Sequence, residues 1–317
     1  MFYLETILLL LIPLIGAQCP DATNLKPCKC SESNNQNRLQ CRGSIGLPRL
    51  TSILRKDLCG LTINKFELTE ADIEYLPSNL FFKIIVNDIQ IAHTNISHFT
   101  RAGRSAFYGL EDDLQSLSMR RCALVDSLQW QMIGDLNALT YLDLSYNWLT
   151  RIPWQWFELP PPNLRSLILK GNKIGSLEPG ALRFMHKLVE LDLSENQIQT
   201  LERSAFPMPG NGLLFLRLSY NNLVSLPENM FSEMLGLRRL YLDSNQMTTL
   251  QESTWVHIWG DLEHLDLLDN PLQCDCDMQW VSMLRTPQRL YGICTAMNLT
   301  GQQLKTLEEK NFQFCKS

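Results

Sequence analysis

The chain has 317 residues, 45% hydrophobic and 19% charged, with a formal net charge of −5. This composition excludes a disordered chain, and the mild negative charge supplies no bulk attraction for nucleic acid. Ten cysteines are compatible with disulfides once the compartment is settled.

The chain opens on an apolar run, Ile7 to Ile15, followed by the small residues Gly16 and Ala17. A membrane-spanning helix needs about 20 residues, so residues 1–17 read as a removable signal peptide. The leading segment departs from the usual pattern, since it lacks Lys and Arg and carries Glu5. No other apolar run approaches spanning length, and no hydrophobic tail follows Cys315. The expectation is a secreted product in the extracellular space or matrix, made under oxidising conditions. Residues 18–60 then form a cysteine-rich amino-terminal cap and first turn around Cys19, Cys28, Cys30 and Cys41.

Residues 61–270 carry a repeat whose frame is clearest in Leu139-Thr-Tyr-Leu142-Asp-Leu144-Ser-Tyr-Asn147-Trp-Leu149. It returns at Asn172, Asn196, Asn221, Asn245 and Asn270, at intervals of 25, 24, 25, 24 and 25 residues. This is L-x-x-L-x-L-x-x-N-x-L, the leucine-rich repeat. Three degraded copies precede these six, with Ala71, Thr94 and Cys122 in the asparagine slot, which makes nine. Each copy supplies a short strand that cannot bury its apolar face alone, and parallel stacking buries a continuous core. The slot asparagine satisfies backbone groups inside the turn. Ala71 has no such atoms, so the first repeats are expected to be less regular. Phe157, Leu182, Phe206, Phe231 and Trp255 anchor the convex segments. The fold class expected is therefore an α/β-type solenoid, a horseshoe with parallel strands on its concave face and an irregular convex face.

Residues 271–317 form a second cysteine-rich cap, with Asn270-Pro-Leu-Gln-Cys274-Asp-Cys276-Asp-Met-Gln-Trp280 and then Cys294 and Cys315. Each set of four cysteines allows three pairings. Cys122, in an inward slot, is expected to be a buried free thiol; Cys59 is left over, and a Cys59–Cys122 bridge is the alternative. The sequons Asn95-Ile-Ser97 and Asn298-Leu-Thr300 are candidate glycan sites.

Between the strand leucines, alternate side chains face the concave surface. The first repeats place Lys65, Glu67, Asp88 and Gln90 there, and the middle ones Arg120, Arg121, Tyr141 and Tyr146 beside Asp143. The seventh and eighth place Phe215, Arg217, Tyr220, Arg239, Tyr241 and Asp243. Tyr and Arg dominate interface hot spots, so this last cluster is the leading partner-binding patch. No H-E-x-x-H, G-x-S-x-G or glycine-rich phosphate loop occurs. The five histidines read as ordinary surface residues. The expectation is a protein that is not an enzyme, needs no cofactor or metal, and binds an extracellular protein rather than nucleic acid.

The two cysteine clusters resemble the flanking domains of extracellular leucine-rich-repeat proteins. That resemblance implies pairing of first with third and second with fourth cysteine: Cys19–Cys30, Cys28–Cys41, Cys274–Cys294 and Cys276–Cys315. A narrower resemblance lies in Leu61-Thr-Ile, in Ile73-Glu-Tyr-Leu-Pro-Ser-Asn-Leu-Phe-Phe82 and in Ala106-Phe-Tyr-Gly-Leu-Glu-Asp-Asp-Leu114. These are similar to an arthropod group named for the Oplophorus-luciferin 2-monooxygenase non-catalytic subunit. It implies a scaffold or stabilising role beside a small secreted catalytic subunit.

Overall fold

The computed structural model describes residues 19–99, 105–296 and 299–316. The signal peptide read at 1–17 and the sequon Asn298 lie outside the described residues. Among the described residues fourteen strands occur: β1 (Cys28–Ser33), β2 (Gln36–Arg42), β3 (Thr62–Thr69), β4 (Ile85–Ala92), β5 (Ser116–Arg120), β6 (Tyr141–Asp143), β7 (Arg151–Ile152), β8 (Ser166–Ile168), β9 (Ser176–Leu177), β10 (Glu190–Asp192), β11 (Phe215–Arg217), β12 (Arg239–Tyr241), β13 (His264–Asp266) and β14 (Arg289–Tyr291). Twelve of them form one sheet in chain order, and β7 with β9 form a separate pair. From β2 to β14 every pairing in the large sheet is parallel, while β1 runs antiparallel to β2. The chain is a leucine-rich-repeat solenoid.

The strand leucines Leu142, Leu167, Leu191, Leu216, Leu240 and Leu265 are fully buried and in register. Parallel strands need a crossover each time, and here it is a convex segment of turns and 3-10 helix, joined once by the helix α1 (Leu47–Ser52) and once by α2 (Glu252–Trp259). Phe157, Leu182, Phe206, Phe231 and Trp255 are all buried there. Near the carboxyl end they continue into a line of rings: Phe231–Trp255 at 5.3 Å, Trp255–Trp259 at 6.3 Å and Trp259–Trp280 at 4.7 Å. Trp280 Nε1 donates to the Leu250 carbonyl at 2.8 Å, which fastens the cap to the last repeats.

The asparagines form a ladder inside the turn. Asn221 Oδ1 accepts from Ile198 N at 3.0 Å, and its Nδ2 donates to the carbonyls of Leu193, Leu218 and Ser219. Asn147, Asn172, Asn196, Asn245 and Asn270 repeat this scheme, each buried. Toward the amino end the slots change chemistry. The Cys122 thiol donates to the Ile91 and Arg120 carbonyls at 3.4 and 3.3 Å. Thr94 Oγ1 donates to the Ala92 carbonyl and accepts from Ala71 N at 3.2 Å, so Ala71 contributes only its backbone.

The early repeats differ from the later ones in strand length: β3 and β4 run eight residues each, against three for β6, β8 and β10 to β13. A second ladder stands at the start of these strands. Asn37 N donates to Asn64 Oδ1 at 2.9 Å, Asn64 Nδ2 reaches Asn87 Oδ1 at 3.4 Å, and Asn87 Nδ2 reaches the Asp113 carbonyl at 3.2 Å. These bonds hold the strand entries together where the slot is weak.

The ends of the core are closed. At the amino end β1 covers the sheet edge and presents a polar outer side, which blunts a template for further pairing. Disulfides Cys19–Cys30 and Cys28–Cys41 hold it. At the other end Cys274–Cys294 and Cys276–Cys315 bind the loops that bury Leu304 and Phe312. Cys59 is exposed and Cys122 buried, both as free thiols. Burial pushes the Cys122 thiol up to about 12, so it stays protonated and unreactive.

Candidate functional site

The parallel register lays the concave side chains in two lateral rows. One reads Lys65, Asp88, Ser116, Tyr141, Ser166, Glu190, Phe215, Arg239, His264 and Arg289. The next reads Glu67, Gln90, Ser118, Asp143, Ile168, Asp192, Arg217, Tyr241, Asp266 and Tyr291. A third feature lies at the strand exits. Glu70, His93, Arg121, Tyr146, Glu195, Tyr220, Ser244 and Asp269 each precede a ladder slot and each has φ between 52° and 59°. Gly171 occupies the same corner at +68°. Left-handed backbone is unusual for non-glycine residues, and here it turns these side chains out of the sheet's pleat. Tyr220 is consequently 59% exposed. At Gly171 a Cβ would sit 2.4 Å from the Tyr146 ring, so only glycine leaves room for that ring.

The amino-terminal end of the face is neutralised from within. Lys65 pairs with Glu67 at 3.3 Å and Asp88 at 3.4 Å, and Arg38 pairs with Glu67 at 2.7 Å. Burial would raise the Glu67 carboxyl, but hydrogen bonds from Arg38, Gln40 and Lys65 outweigh it and hold the group below its ordinary range. These groups already have partners.

The middle cluster assembles around Tyr146. Arg120 and Arg121 lie over its ring at 5.6 and 5.1 Å, and Arg120 pairs with Asp143 at 3.6 Å. Tyr141 is half-buried, and that burial, together with Asp143, pushes its hydroxyl up to about 12.

The carboxyl-terminal cluster is larger and runs across strands. Arg239 lies over Phe215 at 5.1 Å, Arg217 over Tyr241 at 5.5 Å, and Arg217 also pairs with Glu190. Asp243 accepts from the Ser219 hydroxyl. The structure extends this cluster to residues outside the sequence reading. Tyr241 packs on His264 at 4.6 Å, and His264 packs on Tyr291 at 5.4 Å. Tyr291 is 40% exposed and the neighbouring Ile293 is 43% exposed. Arg289-Leu290-Tyr291 copies Arg239-Leu240-Tyr241, so the signal was present in the sequence. The intervening cap cysteines hid it, because no slot asparagine follows Tyr291.

His264 departs from the ordinary surface role read for it. Its ring is half-buried between two tyrosines, and Nε2 is buried without a hydrogen-bond partner among the described residues. Burial, with Arg289 and Arg239 nearby, holds its pKa below the ordinary 6.5 against the opposing Asp266. The folded state therefore binds fewer protons than the unfolded chain just below pH 6.5, and stability falls as pH drops through that window. Urea unfolding at pH 7.5 and 5.5 should show a larger loss for the wild type than for His264→Gln. Equal losses would remove His264 as the origin.

Among the described residues no group of His, Cys, Asp and Glu could hold a metal ion, and no helix is long and apolar enough to cross a membrane. Asn95 is exposed beside the buried Thr94.

Known proteins agree with this architecture. Residues 138–159, 162–209 and 212–272 match models described as leucine-rich repeat. Among solved structures the chain is similar to the leucine-rich-repeat protein FLRT2 from an octameric complex with latrophilin 3 and Unc5D, with a TM-score of 0.65 and 18% identity, covering 91% of this chain and 98% of that one. It is also similar to TLR13 in a complex with ssRNA13, with a TM-score of 0.56 and 25% identity. That match covers 70% of this chain and 34% of the TLR13 chain.

Proposed function

We propose that this leucine-rich-repeat protein is a secreted, non-enzymatic scaffold that binds another extracellular protein on the carboxyl-terminal half of its concave face. The observation that carries the reading is the contrast along that face. The face at β2 to β4 is a set of charges that pair among themselves, whereas the segments around β11 to β14 add the aromatic groups Phe215, Tyr220, Tyr241, His264 and Tyr291 to Arg217 and Arg239, which pair with Glu190 and Glu263. Aromatic and Arg anchors of this kind supply most of the energy in protein interfaces. The assembly that contains FLRT2 is consistent with a protein partner. RNA is disfavoured here, since Asp143, Asp192 and Asp266 lie along one of these rows. The four disulfides suit an oxidising compartment, and exposed Asn95 suits a glycan.

Affinity capture from native extracellular fluid tests the reading. Tyr220→Ala with Tyr241→Ala should weaken retention of the captured protein at least tenfold, about 1.4 kcal/mol or more, with unchanged far-UV circular dichroism and thermal transition. Lys65→Ala should have little effect. Retention unchanged by the tyrosine pair would refute the assignment of this patch. The captured species also decides the finer role. A small oxygenase would make the chain the stabilising subunit of a luciferase-like monooxygenase complex, and an adhesion or matrix protein would make it an extracellular-matrix component.

A further inference from the structure

We infer that Arg239, His264 and Arg289 form a seat for a carboxylate of an acidic segment of the protein partner, and that His264 takes up a proton as that segment docks. This rests on the reading of the concave face as the partner-binding face. The register sets the three residues abreast on β12, β13 and β14. At about 4.8 Å between strands the row spans about 10 Å. Arg239 and Arg289 are both exposed. Arg239 makes a long pair with exposed Glu263 at 3.8 Å, and Arg289 has no ion pair among the described residues.

The groups around His264 explain why the proton waits for the partner. From β12 and the turn after it the ring faces Arg239, Tyr241 and Asp243, and from β14 Arg289 and Tyr291. Its own segment supplies Glu263, Asp266 and Asp269. Asp266 accepts from Leu268 N at 3.1 Å, and Asp243 accepts from Ser219. Protonation in the free protein therefore sets a third positive charge between two guanidiniums, in a half-buried ring whose buried Nε2 has no acceptor among the described residues. A partner carboxylate on the row adds to the negative charge of Asp266 and Asp243 and offsets the two guanidiniums. The proton comes from solvent, one per complex, so the complex tightens as pH falls.

The same row could attract a sulfated glycan, but its surroundings favour a protein segment. Three basic groups stand in line, and Glu263, Asp243 and Asp266 lie beside them. A long polyanion would run over those carboxylates, whereas one acidic side chain among apolar neighbours also meets Tyr241, Tyr291 and Ile293.

The test uses the full chain and a library of randomised dodecapeptides selected at pH 6.0. Recovered peptides should carry Asp or Glu beside aromatic or aliphatic residues, and a synthetic copy of one should bind about tenfold tighter at pH 6.0 than at 7.5. His264→Gln should flatten that dependence, and Arg239→Ala with Arg289→Ala should weaken binding at least tenfold at both pH values. The His264 ring signals in a proton–carbon spectrum should move toward the imidazolium position when peptide is added at pH 6.5. Peptides lost on Tyr220→Ala but insensitive to pH would overturn this inference and leave the binding face standing. Peptides indifferent to Tyr220→Ala would overturn both, as would a library that yields none. Heparin retention that is lost in the double Arg variant and competed by the peptides would reassign the row to a sulfated glycan.

Discussion

Asn147→Ala should destabilise the protein by about 4 kcal/mol, twice the roughly 2 kcal/mol expected for Asn221→Ala, although both asparagines are buried in the same slot. The difference comes from what each leaves behind. Around Asn221 the acceptors are shared: Leu193 O also receives Asn196 Nδ2 at 3.0 Å, and Leu218 O also receives Asn245 Nδ2 at 2.9 Å. Removing Asn221 orphans the Ile198 N–H but leaves those two carbonyls with one side-chain donor each. Asn147 stands where the ladder changes chemistry. Its Oδ1 accepts from both Cys122 N at 2.8 Å and Leu124 N at 3.2 Å, and its Nδ2 donates to Met119 O at 2.8 Å. The Cys122 thiol points to the Ile91 and Arg120 carbonyls, so it does not back up Met119 O. A buried polar group left unpaired costs about 1–3 kcal/mol, and Asn147 leaves more such groups than Asn221. Urea unfolding of the two variants checks the order. Equal losses, or a larger loss for Asn221→Ala, would show that the slots act independently of their neighbours.

That asymmetry also marks how far the sequence could be read. A period of 24 or 25 residues with leucines and an asparagine in phase specifies strand, turn and stacking together, because a single unit has no stable fold alone. The strand register follows, and with it the grouping of Phe215, Arg239, Arg217 and Tyr241 on adjacent strands. What escaped were features set by neighbours rather than by the repeat. The ladder of Asn37, Asn64 and Asn87 lies outside the leucine frame, so the bonds that tie the early strands together have no signature in the repeat. The left-handed corners hold Glu70, Arg121, Tyr146 and Tyr220 as well as Gly171, so no one residue type announces them. His264 looked like any exposed histidine until its two tyrosine neighbours were in place, one of them on a strand that belongs to the cap.

Opening the Cys276–Cys315 bridge by replacing both residues with Ser should cost about 4 kcal/mol, since the bridge closes a separation of 39 residues. Opening Cys19–Cys30, with a separation of 11, should cost about 3 kcal/mol. The two losses should also look different. A solenoid is held by nearest-neighbour contacts, so an untied cap frays locally before the middle repeats respond. The carboxyl cap holds Trp280 against Trp259, which itself meets Trp255, and it buries Phe312. Releasing Cys276–Cys315 should therefore move the tryptophan emission to the red at temperatures below the main transition. The amino cap contains no tryptophan, so releasing Cys19–Cys30 should lower the transition with no early change in emission. Calorimetry and fluorescence on the same samples separate the outcomes. Because Tyr291 and Arg289 stand on β14 between Cys274 and Cys294, fraying at this end should also loosen the concave patch and weaken capture of its partner. A carboxyl-cap variant that melts early yet keeps full partner binding would show that β14 is no part of the binding face.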